Sequence, residues 1–526
     1  MALTSDQEAQ VITMLAAFSN AKRINELPVA DASNPFALTS EVLDATGESK
    51  QANIASMLPY IESQVAYGVQ FDMTGGSPTG NRIGNLALHV SRPLQNRMIG
   101  CLQQDDGSVT EYFTDAWNNH ILDGSKGQVM VELPEHYRKT WLDSNNKLNA
   151  MISEFPVPGY QFIPKMYISA YQASMQRSTG KLFSCVNATA DFRGGNNSTT
   201  NDGNGASLLG TCATNLSETA FRTAARLRGS TNWNQLVYDA YLSMYWLFVV
   251  EYATLNSQAS VNSALDANGY KQGGLGNGVT TIDPTKWSNF NGSSPIVKNG
   301  YTNSLGNGTG EIAYTMPFEY DSNGVANYKG SYSATTAYTT GNFVSSGTNL
   351  YICIAPTTGD GTIVVTNTTY FTPVTSTVIY VNRYRGIEMP FGHIWIWADG
   401  CKCNIETDAN GGQSQFYVCE NPANYQDTDF TNYVQRGLLA RSAGYIKNII
   451  NGVYGDILPI AIGGGSTTYF CDSFYTDGVN DTGQRGVLFG GYAYYGAAAG
   501  LASANSFNAP STVSAYIGSR LCFIPN

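Results

Sequence analysis

Apolar residues recur at helical spacing in two segments near the beginning of the chain. In residues 4–23 they form one stripe that includes Val11 and Phe18, and polar capping residues precede it. Residues 51–63 predict a second, shorter helix, and the segment 23–37 between them contains two prolines and many turn residues. Two small elements joined by extended chain make a poor core, so we expect this end of the chain to fold against a partner.

From about residue 72 onward, short apolar runs alternate with polar turns, a pattern typical of β-structure. Gln128–Leu133 and Phe162–Ser174 are two such strand signals. Helical periodicity appears over 218–228 and again over 234–258. The second of these helices is apolar nearly all round, so it is predicted to lie in the centre of its domain.

Residues 327–376 have a different composition, in which Thr, Tyr and Gly dominate. Predicted strands alternate there with tight turns, as in a small all-β module. The sequences on either side, GEIAYTMPF and VIYVNRYRGIEMPF, read as two adjoining strands of one domain. We therefore interpret 327–376 as an insertion into a larger host domain.

The most unusual stretch lies near the C-terminus, between Arg485 and Arg520. Residues 486–519 contain no Lys, Arg, Asp, Glu, Gln, Met or Trp, although the chain has a formal net charge of -11. Tyr, Ser, Ala, Gly and Asn dominate, which is close to the composition of an antibody paratope. Such a stretch is either buried core or a binding surface. The arginine borders and the regular Gly and Ala positions favour a surface built on a fixed frame.

Composition narrows the class of protein. Only 13% of the 526 residues are charged and 12% are aromatic, which is typical of a β-rich and loop-rich extracellular or virion protein. The acidic balance and the lack of a basic run argue against a nucleic-acid partner. No signal peptide is visible, and the most apolar run, Tyr241–Glu251, is too short for a bilayer span. We therefore expect a soluble protein with no membrane insertion.

The nine cysteines are odd in number and scattered, so they are expected to be free, buried thiols and not a disulfide framework. Cys401 and Cys403 are the one close pair, and they lack the histidine partner that a zinc site of this kind would need. The glycine-rich segment 272–283 lacks the sequence context of a phosphate-binding loop. We therefore predict no metal and no cofactor.

Three motifs resemble a known family. Arg385–Gly400, Gly486–Gly518 and Ser519–Phe523 resemble the C-type-lectin-like variable proteins of diversity-generating retroelements, which share their fold with the formylglycine-generating enzymes. The resemblance is strongest to receptor-binding fibre proteins of phages that infect gut Bacteroidetes, and it covers roughly residues 80–526 apart from the insertion. It implies an α+β, multidomain protein with a C-type-lectin-like C-terminal domain, assembled as a homotrimer.

In that family a reverse transcriptase rewrites template adenines, so that asparagine codons become a restricted set of residues without Lys, Glu, Gln, Met or Trp. Residues 486–519 lack all five. Internal packing is the alternative role for each tyrosine there. Carried over residue by residue, the resemblance implies diversified, receptor-binding positions at Tyr492, Tyr494, Tyr495, Ala498, Ser503, Ala504, Phe507, Thr512, Val513, Ser514 and Tyr516.

The insertion resembles the small chitin-binding-type carbohydrate module. The positions that match that family are Tyr338, Gly341, Val344, Tyr351 and Tyr370–Phe371. Phe371 stands where tryptophan is usual and the opening tryptophan is missing, so a spacer or a knob that decorates the trimer is the alternative. In the family, exposed aromatic rings stack on the apolar face of a sugar. The sugar-binding residues that the resemblance implies are Tyr328, Tyr332, Tyr370 and Phe371.

An enzyme of the formylglycine-generating type would need a late pair of copper-binding cysteines, and the late cysteines of this chain are Cys471 and Cys522. Cys522 lies in the closing RLCF strand motif, where a buried apolar thiol is expected. The four histidines lie in unrelated contexts, and His393, in the PFGHIW turn, is expected to be a structural hydrogen-bonding residue. Catalysis is therefore not expected.

The resemblance implies a phage fibre or tail adhesin that binds a bacterial surface protein or glycan. It would be assembled in the bacterial cytoplasm, located in the virion, and attached to other virion proteins by its N-terminal segment. The alternatives are a structural virion component, such as a head fibre or decoration protein, and a formylglycine-generating-type enzyme. The predicted domains are a virion anchor (1–71), a small β-rich domain (72–154), a C-type-lectin-like receptor-binding domain (155–326 and 377–526) and the carbohydrate-module-like insert (327–376).

Overall fold

The fold is that of a computed structural model of the chain. It describes residues 39–43, 49–199, 207–282, 295–315, 328–347, 349–374, 378–480 and 482–525. The predicted helix over 4–23 and the predicted linker over 23–37 lie outside these residues, as does much of the predicted anchor. The described part is β-rich with few helices, and none of its helices is long and apolar enough to cross a membrane.

The described helices are α1 (Ile54–Val65), α2 (Leu86–Ser91), α3 (Pro93–Asn96), α4 (Glu218–Arg226) and α5 (Tyr238–Tyr252). The first half of the strands are β1 (Thr39–Leu43), β2 (Ser49–Asn53), β3 (Ala66–Asp72), β4 (Asn81–Gly84), β5 (Gly100–Gln103), β6 (Val109–Tyr112), β7 (Gln128–Leu133), β8 (His136–Leu142), β9 (Lys147–Ser153), β10 (Gln161–Ile163), β11 (Met166–Gln172), β12 (Ser174–Met175), β13 (Leu182–Phe183), β14 (Trp233–Gln235) and β15 (Gly310–Thr315). The second half are β16 (Tyr328–Ser331), β17 (Phe343–Ser346), β18 (Asn349–Cys353), β19 (Phe371–Pro373), β20 (Val378–Tyr384), β21 (Ile387–Glu388), β22 (Trp395–Ile405), β23 (Ser414–Val418), β24 (Val434–Leu438), β25 (Ser442–Asn451), β26 (Asp456–Ile462), β27 (Ser473–Asp477), β28 (Gly483–Phe489), β29 (Ala504–Asn505), β30 (Ile517–Gly518) and β31 (Arg520–Phe523).

Two sheets join strands from different predicted domains of the chain. One has the strand order β10-β8-β9-β3-β4, and the other has the order β14-β31-β11-β7-β5-β6. The last strand of the chain, β31, therefore lies between β14 and β11, in a sheet that also contains three strands from the predicted domain over 72–154. The prediction of a separate domain over 72–154 is therefore corrected, because its strands share hydrogen-bonded sheets with later parts of the chain. The predicted anchor boundary at residue 71 is corrected too, because it falls inside β3, which pairs with β9 along its whole length.

Helix α5 lies within the largest hydrophobic core, as its apolar sequence predicts. Every residue of the helix except Asp239 is buried. Two of its buried polar side chains, Tyr238 and Trp246, find hydrogen-bond partners in the core, as is usual for these residue types. The Tyr238 hydroxyl bonds to Asp456 Oδ1 at 3.0 Å, and the Trp246 indole donates to the Gly455 carbonyl at 2.7 Å. The helix therefore connects the two sheets just described to the sheet that contains β22, β28 and β26.

The largest sheet has the order β24-β23-β22-β28-β29-β27-β25-β26, with β30 paired to β22 outside that path. Strand β22 is the support of the C-terminal segment, the name used below for residues 486–519. It pairs antiparallel with β28, near the start of the segment, and parallel with β30, near its end. Both ends of the segment are therefore held on one strand.

The predicted insertion forms a separate four-stranded sheet, in the order β16-β17-β18-β19. It has a small core of its own, which contains Tyr338, Val344, Cys353, Val365 and Phe371. The strands on either side of it, β15 and β20, pair with each other in register, as the sequence predicts. The C-type-lectin-like layout of the host domain stays a prediction.

Candidate binding surface

Strand pairing divides the C-terminal segment into two loops. Loop A (490–503) follows β28, and loop B (506–516) follows the short strand β29, which lies between β28 and β27. The bases of the loops are tied to the body of the protein by hydrogen bonds. The Gly486 amide donates to the Asn508 carbonyl at 3.0 Å, and the Tyr241 hydroxyl donates from α5 to the Leu501 carbonyl at 2.8 Å. Loop B is held on its other side by the amides of Asn215 and Glu218, which donate to the Ser514 and Pro510 carbonyls.

A buried ion-pair network fixes α4 against β22. The Arg222 Nε bonds to both Asp399 oxygens at 2.9 Å, and Nη2 bonds to Asp399 Oδ1 at 2.6 Å. Asp427 and Glu218 also contact Nη2. Burial alone would lower the pKa of Arg222, but Asp399 raises it above its usual value. The guanidinium therefore stays charged and anchors the strand that carries the C-terminal segment.

Three carboxylates in this network, Glu218, Asp399 and Asp427, bring oxygens within 4.8 Å of one another, the spacing of a metal site. The arginine just described already lies among them and supplies the positive charge. Burial, together with Asp427 and Asp399, raises the pKa of Glu218 well above its usual range. A raised pKa at Glu218 and an arginine already paired with these carboxylates favour a structural role over cation binding.

A second buried arginine closes the far end of the segment. Arg520 is 1% exposed, and its guanidinium donates to the carbonyls of Ser169, Glu388 and Met389, the first at 3.1 Å and the last at 2.6 Å. Burial lowers its pKa to about 10, so it remains charged at neutral pH. The arginine that borders the uncharged stretch in the sequence is therefore a core residue that ties β31 to β11 and β21.

Part of the C-terminal segment is buried and supports the loops instead of contributing to the surface. Ser503 and Ala504, predicted as receptor-binding positions, are both fully buried. The Ser503 hydroxyl donates to the Ser473 carbonyl at 3.1 Å, and Ala504 pairs with Phe474 and Phe489 within the sheet. These two assignments are wrong for the described structure, because Ala504 lies in the short strand β29 in the middle of the sheet and Ser503 is buried directly before it.

The buried carboxyl of Asp472 holds the turn between Gly500 and Ser503. Its Oδ2 accepts from the Ala502 amide at 2.7 Å, and a Cβ at Gly500 would lie only 2.0 Å from Oδ1. Burial raises the pKa of Asp472 well above its usual range. Glycine is needed at position 500 because both the space and the backbone φ of +148° exclude a side chain.

The tyrosines of both loops meet in one cluster. Tyr492 of loop A stacks on Tyr516 of loop B with ring centroids 4.6 Å apart, and it also contacts Tyr494 and Tyr495. Tyr495 stacks in turn on Tyr475 of β27, at 4.1 Å. We call these five residues the tyrosine cluster. Its base is Trp395 of β22, which is 1% exposed and makes edge contacts with two of the rings.

A surface cavity of about 740 Å³ opens beside the tyrosine cluster, within the size range of small-molecule sites. The aromatic residues that line it are Trp395, Tyr475, Tyr495, Phe507 and Tyr516. Its polar lining includes Arg441, Asp477, Asn480, Asn505 and Asn508. Rings with hydrogen-bonding groups around them offer apolar contact area and polar selectivity in one place.

The hydroxyls of Tyr492 and Tyr495 stay neutral at neutral pH, so they act as both hydrogen-bond donors and acceptors. Burial, followed by the neighbouring tyrosines, raises the pKa of Tyr492 and of Tyr495. The surface therefore presents rings and neutral hydroxyls without a charge of its own, and only Arg441 and Asp477 contribute charges at the cavity wall.

The structure brings nine of the eleven predicted receptor-binding residues to accessible positions on the two loops. Tyr494, Phe507 and Val513 are about half exposed. The partly buried members are Tyr492, Tyr495, Ala498, Thr512, Ser514 and Tyr516. Sequence reasoning missed Trp395, Tyr475 and the polar cavity wall, because strand pairing brings these residues to the loops from distant parts of the chain.

The insertion presents its aromatic residues differently from the prediction. Phe371 is 1% exposed and lies in the small core, so its assignment to a sugar-stacking surface is wrong. Tyr332 packs on Tyr338 and Phe371 and donates its hydroxyl to the Ile363 carbonyl. Tyr370 is partly buried against the same core, and the side chain of Tyr328 lies outside the described residues. The rings of Tyr332, Tyr338 and Phe371 thus pack on one another and form no flat exposed row.

The nine cysteines are all free and buried, as predicted. Burial raises the pKa of Cys471 and of Cys522 to about 12, so neither thiol is reactive at neutral pH. His393 is the structural residue that its motif predicts. It is fully buried, its Nε2 accepts from the Ile296 amide at 3.1 Å, and its Nδ1 donates to Gln172 Oε1 at 2.7 Å.

No family profile and no curated protein sequence matches this chain. Among solved structures, it is similar to one described as a Major Tropism Determinant U1 variant. The two share 10% sequence identity with a TM-score of 0.21, over 94% of this chain and 96% of that one. A similarity at this TM-score assigns neither a fold nor a function.

Proposed function

We propose that the protein is a phage fibre or tail adhesin, and that it binds a bacterial surface receptor through loops A and B. The observation that carries the proposal is the tyrosine cluster beside an open cavity, held on a frame of buried glycines, small residues and arginines. Uncharged rings on rigid loops are the composition and geometry of a paratope. The resemblance of the same residues to diversified fibre proteins supplies the biological setting.

The separation between frame and surface supports diversification as part of the proposal. Tyr494, Phe507 and Val513 point largely away from the core, so substitution there removes few internal contacts. Gly486, Gly500 and Gly518, in contrast, face atoms within 2.6 Å of any added Cβ. A surface of this kind tolerates many sequences at its exposed positions while the fold stays the same.

Binding through this surface is expected to be modest for a single copy. The exposed rings and the cavity form a small patch, and interfaces of limited area need repetition to bind firmly. Homotrimerisation and several fibres per virion would supply that repetition, because linked sites raise avidity by about 10² to 10⁴ without new contacts.

The proposal has two direct tests. In related phage isolates, sequence changes are expected to concentrate at the exposed loop positions and to spare the frame; changes scattered evenly over the chain would contradict diversification. In the second test, purified full-length protein competes with phage for adsorption to gut Bacteroidetes strains. Tyr494→Ala should weaken competition, whereas Val453→Ala, an exposed apolar control on another part of the surface, should not. Equal competition by both variants and the unmodified protein would refute the binding surface.

We propose no catalytic role. The two late cysteines that a formylglycine-generating enzyme would need have raised pKa values and lie in the protein interior. Copper binding by the full-length protein that is lost on Cys471→Ser and Cys522→Ser substitution would overturn this part of the proposal.

A further inference from the structure

A second cavity, separate from the tyrosine cluster, lies where the N-terminal end of α5 meets β8, β10 and β24. Its volume is about 390 Å³, which is room for roughly a dozen water molecules at about 30 Å³ each. One part of its wall is apolar, with Phe162, Ile163 and Leu242, and the other part is charged, with Arg138, Asp239 and Arg436. We call it the Arg138–Asp239 cleft.

Two opposite charges line this cleft without an ion pair between them. Arg138 is 4% exposed, and its Nη2 donates to the Tyr454 carbonyl at 2.7 Å, but its Nη1 has no hydrogen-bond partner. Among the described residues, no hydrogen bond reaches the carboxylate of Asp239, the one residue of α5 that is not fully buried. The other charges of the cleft are engaged, because Arg436 bonds to Glu420 at 2.6 Å and to Asp456 at 3.3 Å.

Unsatisfied buried polar groups are rare, and each one calls for a partner. Arg138, Asp239 and Tyr425 all line this cleft, and both Arg138 Nη1 and the Tyr425 hydroxyl are buried without a partner among the described residues. A molecule that carries a negative and a positive group side by side, with an apolar body, satisfies both charges and the apolar wall. A simple anion would leave the carboxylate unpaired, and a simple cation would leave the guanidinium unpaired.

We propose that the Arg138–Asp239 cleft binds a free α-amino acid with an apolar side chain. Its carboxylate lies on Arg138, its ammonium group lies on Asp239, and its side chain lies against Phe162, Ile163 and Leu242. This site is independent of the receptor surface on loops A and B. Burial raises the pKa of Asp239 to about 6, and a bound ammonium group beside the carboxylate would lower that pKa again.

The test is calorimetric titration of the unmodified full-length protein with L-leucine, N-acetyl-L-leucine and L-leucinamide. Leucine is expected to bind. Each blocked compound lacks one of the two charges and is expected to bind about ten- to a hundredfold more weakly, because a hydrogen bond to a charged group is lost. This comparison needs no mutation, so a folding defect cannot imitate the result.

Variants test the roles of the two residues. Arg138→Gln and Asp239→Asn are each expected to weaken leucine binding by a similar factor, while Asp106→Asn, an exposed carboxylate elsewhere, is expected to leave it unchanged. Absence of binding by leucine and phenylalanine at millimolar concentration would show that the cleft holds water only and would overturn the proposal. Equal binding of leucine and its blocked forms would overturn it as well.

Discussion

Replacement of Gly486 by alanine tests whether the C-terminal segment has a rigid frame. Gly486 lies in β28, opposite Lys402 of β22, at the start of the segment. A Cβ at this position would lie 2.5 Å from Glu218 Oε2 and 2.6 Å from a ring carbon of Trp397. Trp397 is fully buried and Glu218 is held by Arg222, so neither side chain has room to move aside.

The expected loss of stability follows from two opposing effects. Overpacking in a well-packed core costs about 1–3 kcal/mol. Alanine restricts the unfolded chain more than glycine does and returns about 0.4–1 kcal/mol. The difference is a net destabilisation of roughly 1–2 kcal/mol. The backbone adds no strain of its own, because Gly486 does not adopt a positive φ.

Gly75→Ala is the matched control. Gly75 also avoids positive φ, and a Cβ there would meet no heavy atom within 4 Å. Only the effect on the unfolded chain remains, so this variant is expected to be as stable as the unmodified protein or slightly more stable. Thermal unfolding of both full-length variants, followed by intrinsic fluorescence, gives midpoints that are compared directly. A Gly486→Ala midpoint at or above that of Gly75→Ala would refute the packing argument.

Three further predictions test other parts of the structure. Asp399→Asn removes the fully buried carboxylate that bonds to both Nε and Nη2 of Arg222 and is expected to cost about 3–5 kcal/mol, seen as a lower unfolding midpoint. An unchanged midpoint would contradict the anchoring role. Phe371→Ala is expected to destabilise the insertion by about 3–5 kcal/mol and to make it sensitive to limited proteolysis, whereas Tyr370→Ala should have a smaller effect. A larger effect of Tyr370→Ala would contradict the placement of Phe371 in the core of the insertion. The pKa of Asp239 is raised to about 6 in the folded protein, so the folded protein binds this proton more tightly than the unfolded chain does. Proton binding at Asp239 therefore contributes to the free energy of unfolding fully below about pH 4, and the contribution is lost as the pH rises to about 6. Asp239→Asn should remove that loss, measured as the difference between the two stability–pH profiles, and identical profiles would contradict the raised pKa.

Much of the local structure follows from periodicity. Helix α5 was predicted from an apolar pattern on all its faces, and the paired strands β15 and β20 were predicted from their sequences on either side of the insertion. Both features depend on patterns within a few neighbouring residues. The predicted domain boundaries required correction because β31 joins a sheet with β11, and Arg520 donates to Ser169, a partner 351 positions earlier. No local pattern carries information about such a pairing.

The surface was predicted in outline and not in detail. The absence of charge identified the segment, but small residues such as Ser503 and Ala504 are equally common in a core and on a paratope, so composition did not place them. Phe371 was misplaced for a related reason, because an aromatic residue in a family motif serves either as a platform or as core. Tyr475 enters the cluster through the pairing of β27 with β29, which only the fold establishes.

The central claim is that the exposed side chains of loops A and B bind the receptor while the buried residues beneath them only hold the loops in place. The most direct measurement is a substitution scan of residues 486–519 in displayed full-length protein, sorted separately for folding and for binding to host cells. We expect substitutions at Tyr494, Phe507 and Val513 to reduce cell binding and leave folding intact, and substitutions at Gly486 and Ser503 to reduce both. If substitutions at the three exposed positions leave cell binding unchanged, loops A and B are not the receptor surface.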